Sequence, residues 1–150
     1  MTVYRWVLIV HSAWRWIVIV AGVALLAVAI EGLMKRRPWQ PAGAHLSRLF
    51  GIAIDIQVLL GAMLYLTLSP LTNGALSNAV IDVPHSDVSF FAVNHGLLML
   101  LALVAVHLSA VLIRRARSDP ARQRRAMVCY GLTLLIVLAG IPWWRPLLRW

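Results

Sequence analysis

The chain is poor in acid and almost without sulfur nucleophiles. A single cysteine, Cys129, stands in 150 residues. This excludes an intrachain disulfide and any cysteine-based metal cluster, and Cys129 reads as a small apolar residue in a helix. Five acidic residues face fourteen basic ones, for a net charge of +9. There is no phosphate-binding loop, no HExxH, no G-x-S-x-G elbow and no Cys/His zinc spacing. The sequence therefore points away from a stand-alone enzyme. It has no internal repeat and no low-complexity tail. The first apolar run is too long for a cleavable signal and lacks the basic lead and small-residue cleavage site.

What the chain does have is hydrophobicity. Apolar residues make up 61% of it, with a mean hydropathy of +0.82, well above the roughly 45–50% of an ordinary soluble domain. Four apolar runs stand out, at about 4–33, 45–68, 89–113 and 126–142. At 1.5 Å per residue each can cross a hydrocarbon core about 30 Å thick, the fourth near the lower limit. Such long continuous runs are helices rather than barrel strands. The seven tryptophans fit the same picture, since Trp gathers at membrane interfaces. Trp143 and Trp144 mark the exit of the fourth run.

In a soluble protein a charge of +9 would suggest nucleic acid. Here the basic residues lie between the apolar runs, so topology explains them and no nucleic-acid partner is expected. Lys35, Arg36, Arg37 and Arg48 flank the first connection, and Arg114, Arg115, Arg117, Arg122, Arg124 and Arg125 the third. The second connection, 69–88, has none, and the tails add only Arg5, Arg145 and Arg149. The positive-inside rule places the first and third connections in the cytoplasm, with both termini and the long second connection outside. The arginine-rich third turn can also touch anionic lipid. Pro38, Pro41 and Asp119-Pro120 break the chain at the cytoplasmic turns. Short turns make successive helices antiparallel neighbours, so the expected fold is all-α: one integral-membrane, up-down four-helix domain covering 1–150.

Ionisable residues inside such a bundle are costly and call for a function. His11 lies about 10 Å inward from the outer end of the first helix, and His95 about 9 Å inward on the third. The two imidazoles thus share a layer, the placement a bis-histidine haem requires. Gly61 lies about 10 Å from the outer end of the second helix, and Gly96 follows His95. Both would let a flat macrocycle approach a backbone. The plainer alternative is that each histidine bonds a neighbouring carbonyl or hydroxyl, with Ser12 and Asn94 close by.

Arg15 and Asp55 fall at about the same mid-membrane depth on adjacent helices, so they are expected to form an ion pair. Arg15 shares a helix face with His11 at i, i+4, which sets that pair beneath the cofactor. His107 is about 120° around the third helix from His95. Two haems stacked on one face prefer a smaller offset, so a bond from His107 to a nearby polar group is favoured over a second haem shared with His45. The connection 69–88 is long enough to be functional. It is expected to cover the histidine layer, with 75–83 as a flat interfacial segment.

At these residues the chain resembles a family of small four-helix bacterial membrane proteins labelled cytochrome b-like. The matching pieces are His11-Ser12 with Arg15-Trp16, Gln57-Val58-Leu59-Leu60-Gly61 with Leu64-Tyr65 and Ser69-Pro70, Phe90-Phe91 ahead of His95, His107-Leu108-Ser109, and Ile141-Pro142-Trp143. The resemblance implies a haem-binding bundle of the cytochrome b561 type in the bacterial inner membrane. It carries ligand roles onto His11 and His95, and an optional one onto His107. The family often has histidine where Asp55 stands, which speaks against a second haem here, and an acidic residue where Asn94 stands. The expectation is one haem b near the outer face, passing single electrons to or from a quinone or an outer redox partner. The rivals are a non-catalytic subunit of a larger respiratory or photosynthetic complex and a small transporter using Arg15 and Asp55.

Overall fold

The computed structural model describes residues 2–68 and 89–145. Within them the chain forms four α-helices: α1 (Val3–Met34), α2 (Pro41–Met63), α3 (His95–Arg114) and α4 (Asp119–Ala139). A π-helical turn, Leu64–Leu68, continues α2, and another, Phe90–Asn94, leads into α3. No strand occurs among the described residues. Connection 69–88, with its expected lid and interfacial segment, lies outside them.

The helix ends follow from local chemistry. Extended backbone at Gln40 and Ser118 hands over to Pro41 and Asp119-Pro120, the position where a fixed φ and a missing N–H cost least. The Ser118 hydroxyl accepts a bond from the Ala121 N–H, satisfying one orphan donor of α4. At the far end of α1, Lys35 and Arg37 both hold Glu31, and Arg36 turns the chain with φ at 50°.

Packing follows a seven-residue pattern. The buried faces read Val18, Gly22, Leu25, Ala29, Gly32 on α1 and Phe50, Ala53, Ile54, Gln57 on α2. They continue with Ala102, Val106, Ser109, Ile113 on α3 and Gln123, Ala126, Tyr130, Thr133, Val137 on α4. Steps of three and four residues, with Ala53 beside Ile54 on α2, give each helix one narrow seam, the signature of knobs-into-holes bundles. α1 packs on α2 and α4, and α3 packs on α2 and α4. Trp14 reaches the Ala53 carbonyl, while His11, about one turn earlier, reaches Gln57, one turn later in α2. The centre is filled by Phe50 and Tyr130, edge to face at 5.8 Å.

Three helical stretches are long and apolar enough to cross a membrane: Val3–Met34, Pro41–Leu68 and Phe90–Arg114. α4 is not among them. Its first turns carry Asp119, Arg122, Arg124 and Arg125, and it ends at Ala139 rather than 142. Only fourteen residues, 126–139, are left as its apolar part, about 21 Å. The remaining outer surface is oily: Ile17, Val20, Leu59, Leu100, Val104, Leu132 and Leu135 are exposed large hydrophobics.

Candidate functional site

The four helices line a part-open cavity of about 160 Å³ at one end of the bundle, with walls that include His11, Arg15, Gln57, Gly61, Tyr65, His95, Met99, Gly140 and Arg145. The shared layer read from His11 and His95 is present: their rings are 6.2 Å apart, centroid to centroid, at 76°.

Each imidazole is held differently. His95 Nδ1 donates to the Gly140 carbonyl at 2.7 Å. That carbonyl is available because α4 ends there. The last turn of a helix leaves its carbonyls without intrahelical partners. With Nδ1 donating, the His95 Nε2 keeps its lone pair. On the opposite side, the Gln57 amide nitrogen donates to the His11 carbonyl at 3.2 Å and contacts the His11 Nε2 at 3.3 Å. His11 Nδ1 and Gln57 Oε1 are buried and have no hydrogen-bond partner among the described residues. Gly61 explains how α2 can come so close: a Cβ there would lie 3.2 Å from His11 Cε1.

The charge of the site is one-sided. Arg15 and Arg145 line it together with the two histidines, and none of the described residues on its walls is a carboxylate, so the described walls suit an anion or an acceptor-rich ligand. Aromatic rings gather at the start of α3. Phe91 lies 5.8 Å from the His95 ring, Phe90 lies 4.7 Å from Trp144, and Arg145 stacks on Phe91 at 4.7 Å. The Tyr65 hydroxyl donates to the Ala92 carbonyl at 2.6 Å, tying one π-helical turn to the other.

Other expected residues lie elsewhere. Asp55 does not pair with Arg15. It bonds His107 Nε2 at 2.8 Å, between α2 and α3. The reason is azimuth. Asp55 is two residues, about 200°, from Gln57, and Gln57 is the residue facing α1. Arg15 sits over the Trp16 ring at 5.7 Å and on the cavity wall. His107 thus has the bond to a polar group that its helical offset favoured, and it lies away from the histidine layer. Gly96 is not on the cavity wall; it packs beside Tyr65, where a Cβ would make an ordinary 3.7 Å contact.

Sequence reasoning did not assign roles to Gln57, Gly140, Met99 or Arg145. Gln57 could have been found, since it is a buried amide four residues before Gly61 and so on its face. Gly140 acts through its backbone, which residue type does not announce. Comparison with family models, with curated proteins and with solved structures finds no match.

Proposed function

We propose that this chain is an up-down four-helix bundle of the bacterial inner membrane that holds one haem b between His11 and His95 and passes single electrons. The observation that carries the reading is the ring separation of 6.2 Å. Two metal–imidazole bonds of about 2 Å put the ligating nitrogens about 4 Å apart and the ring centroids about 6 Å apart.

The residues present fit the group. His95 is oriented through Nδ1 by the Gly140 carbonyl, the outer-shell bond that fixes tautomer and ring in metal-ligating histidines. His11 carries a buried nitrogen with no partner among the described residues. Gly61 offers a wall without a side chain, and Arg15 with Arg145 supplies positive charge for carboxylate substituents. Met99, an adaptable thioether, lies on the same wall. Haem, when bound, supplies reversible one-electron chemistry at iron. The chain's part is to hold the two imidazoles, balance charge with its arginines and cover part of the wall with Phe91.

The oily exterior and the positive-inside count support insertion with both termini outside. A quinone or an outer redox protein would be the electron partner, and a larger membrane complex would be the host. The rival transporter reading sets Arg15 and Asp55 on one path; the bond of Asp55 to His107, on the α2–α3 side, gives that reading less support than the histidine layer gives to haem.

The test is spectroscopic. The chain is produced with haem supplied, purified in detergent and examined oxidised and reduced. A Soret band that shifts on reduction, and that is lost in both His11→Ala and His95→Ala, is the expected result. A folded helical protein that takes up no haem even after reconstitution overturns the proposal.

A further inference from the structure

An ion pair on the outside of an oily bundle is out of place. Asp55 and His107 are 45% and 59% exposed, yet they are bonded at 2.8 Å. Asp55 is seven residues from Arg48 and His107 seven from Arg114, so both lie about 10 Å inward from the basic end. Exposed Ile52 and Leu59 on α2, and Leu100 and Val104 on α3, surround them. On the membrane reading, on which this inference rests, that surface meets lipid chains. Ionisable residues at such depth almost always face protein or a water-filled cavity.

We propose that the α2–α3 face is the interface at which a second copy of this chain docks, with the Asp55–His107 pair as its polar centre. The argument for a second copy is self-complementarity. Two copies inserted the same way are related by a two-fold axis along the membrane normal, so equal depths meet. The pair runs sideways, from Asp55 on α2 to His107 on α3. The two-fold reverses that direction and sets each Asp55 opposite the His107 of the other copy, as an isologous interface requires. Asp55 Oδ1 and His107 Nε2 are used within the chain, and their second polar atoms, Oδ2 and Nδ1, make no hydrogen bond among the described residues. These spare atoms are the ones that would meet across the two-fold axis. Gly51, one turn before Asp55, has open space where a Cβ would stand, so a neighbouring helix can approach closely there.

Cross-linking between two differently tagged full-length chains tests this in native membranes, both in a Cys129→Ala background. Counting outward from the pair, residue 59 of one copy faces residues 103–104 of the other. Leu59→Cys in one chain and Val104→Cys in the other should give a mixed-tag disulfide, whereas Val20→Cys with Leu132→Cys, away from the face, should not. Replacing Asp55 and His107 together by leucine should lower the mixed-tag yield about tenfold, with helical circular dichroism unchanged. Three results overturn the proposal: a yield no higher than the control, a yield indifferent to the double replacement, or capture of a different membrane protein in place of the second tag. Absence of the chain from the membrane fraction overturns the membrane reading itself, and the interface with it. None of these readings depends on haem.

Discussion

The His95 imidazole donates its Nδ1 proton to the Gly140 carbonyl at 2.7 Å, so the end of one helix holds a side chain from the start of another. The acceptor exists because α4 stops; the donor exists because α3 begins with a histidine. The bond has a structural role whatever the cavity binds, and the two roles can be separated. Asparagine can place an N–H near Nδ1, whereas leucine cannot. His95→Leu should therefore lower stability in detergent by about 1–3 kcal/mol, the cost of an unsatisfied buried acceptor, and His95→Asn by clearly less. Both should abolish the Soret band. If the two variants unfold at one temperature, the bond to Gly140 does not stabilise the bundle.

Gly61 separates fold from function in the opposite way. An added Cβ would stand 3.2 Å from His11 Cε1, which is tight, but the ring borders a cavity and can move into it. Helix propensity favours alanine over glycine by about 1 kcal/mol. Gly61→Ala should hold its thermal midpoint or gain slightly, and should weaken haem uptake because the His11 ring has moved. Gly61→Val cannot be accommodated so simply and should cost about 1–3 kcal/mol by overpacking. Thermal unfolding and haem titration on the same samples check both.

Much of the site was legible as height and little of it as direction. Counting residues from the helix ends placed His11 and His95 in one layer, because rise per residue is constant. The same count put Arg15 and Asp55 at one depth, yet Asp55 points to α3 and bonds His107. Depth follows from position in a run, whereas azimuth depends on which seam residues face inward, and in an apolar helix nearly every face reads alike. The buried faces became distinct only in the packed helices, through steps of three and four such as Phe50, Ile54, Gln57. The fourth apolar run extends to 142, whereas the helix ends at Ala139 with Gly140 as its cap.

The exchange of partners at Asp55 has a thermodynamic signature. A cycle of Asp55→Leu and His107→Leu should show a coupling of about 0.6 kcal/mol, at most about 2, as for hydrogen-bonded pairs between membrane helices. Arg15→Leu with Asp55→Leu should be additive within about 0.5 kcal/mol. Coupling in the second cycle and none in the first would restore the pairing expected from depth alone.

Two glycines away from the cavity, Gly32 near the end of α1 and Gly131 midway along α4, predict opposite signs for one substitution. Gly32 on α1 faces the Gln123 side chain, and a Cβ there would collide with the amide nitrogen. Gln123 cannot retreat at no cost. It is buried, and the same nitrogen donates to the Arg37 carbonyl at 2.5 Å, pinning the turn that follows α1 to the first turns of α4. Shifting it would leave that carbonyl short of a donor. Gly32→Ala should thus lose about 1–2 kcal/mol, the hydrogen-bond loss outweighing the helix-propensity gain. Gly131 on α4 differs: an added Cβ would make only an ordinary 3.7 Å contact with Leu26. Gly131→Ala should gain about 0.5–1 kcal/mol, as alanine does where the helix has room. Midpoints of thermal unfolding should move apart, Gly32→Ala downward and Gly131→Ala upward. A Gly32→Ala variant at least as stable as the parent would show that Gln123 does not clamp this end.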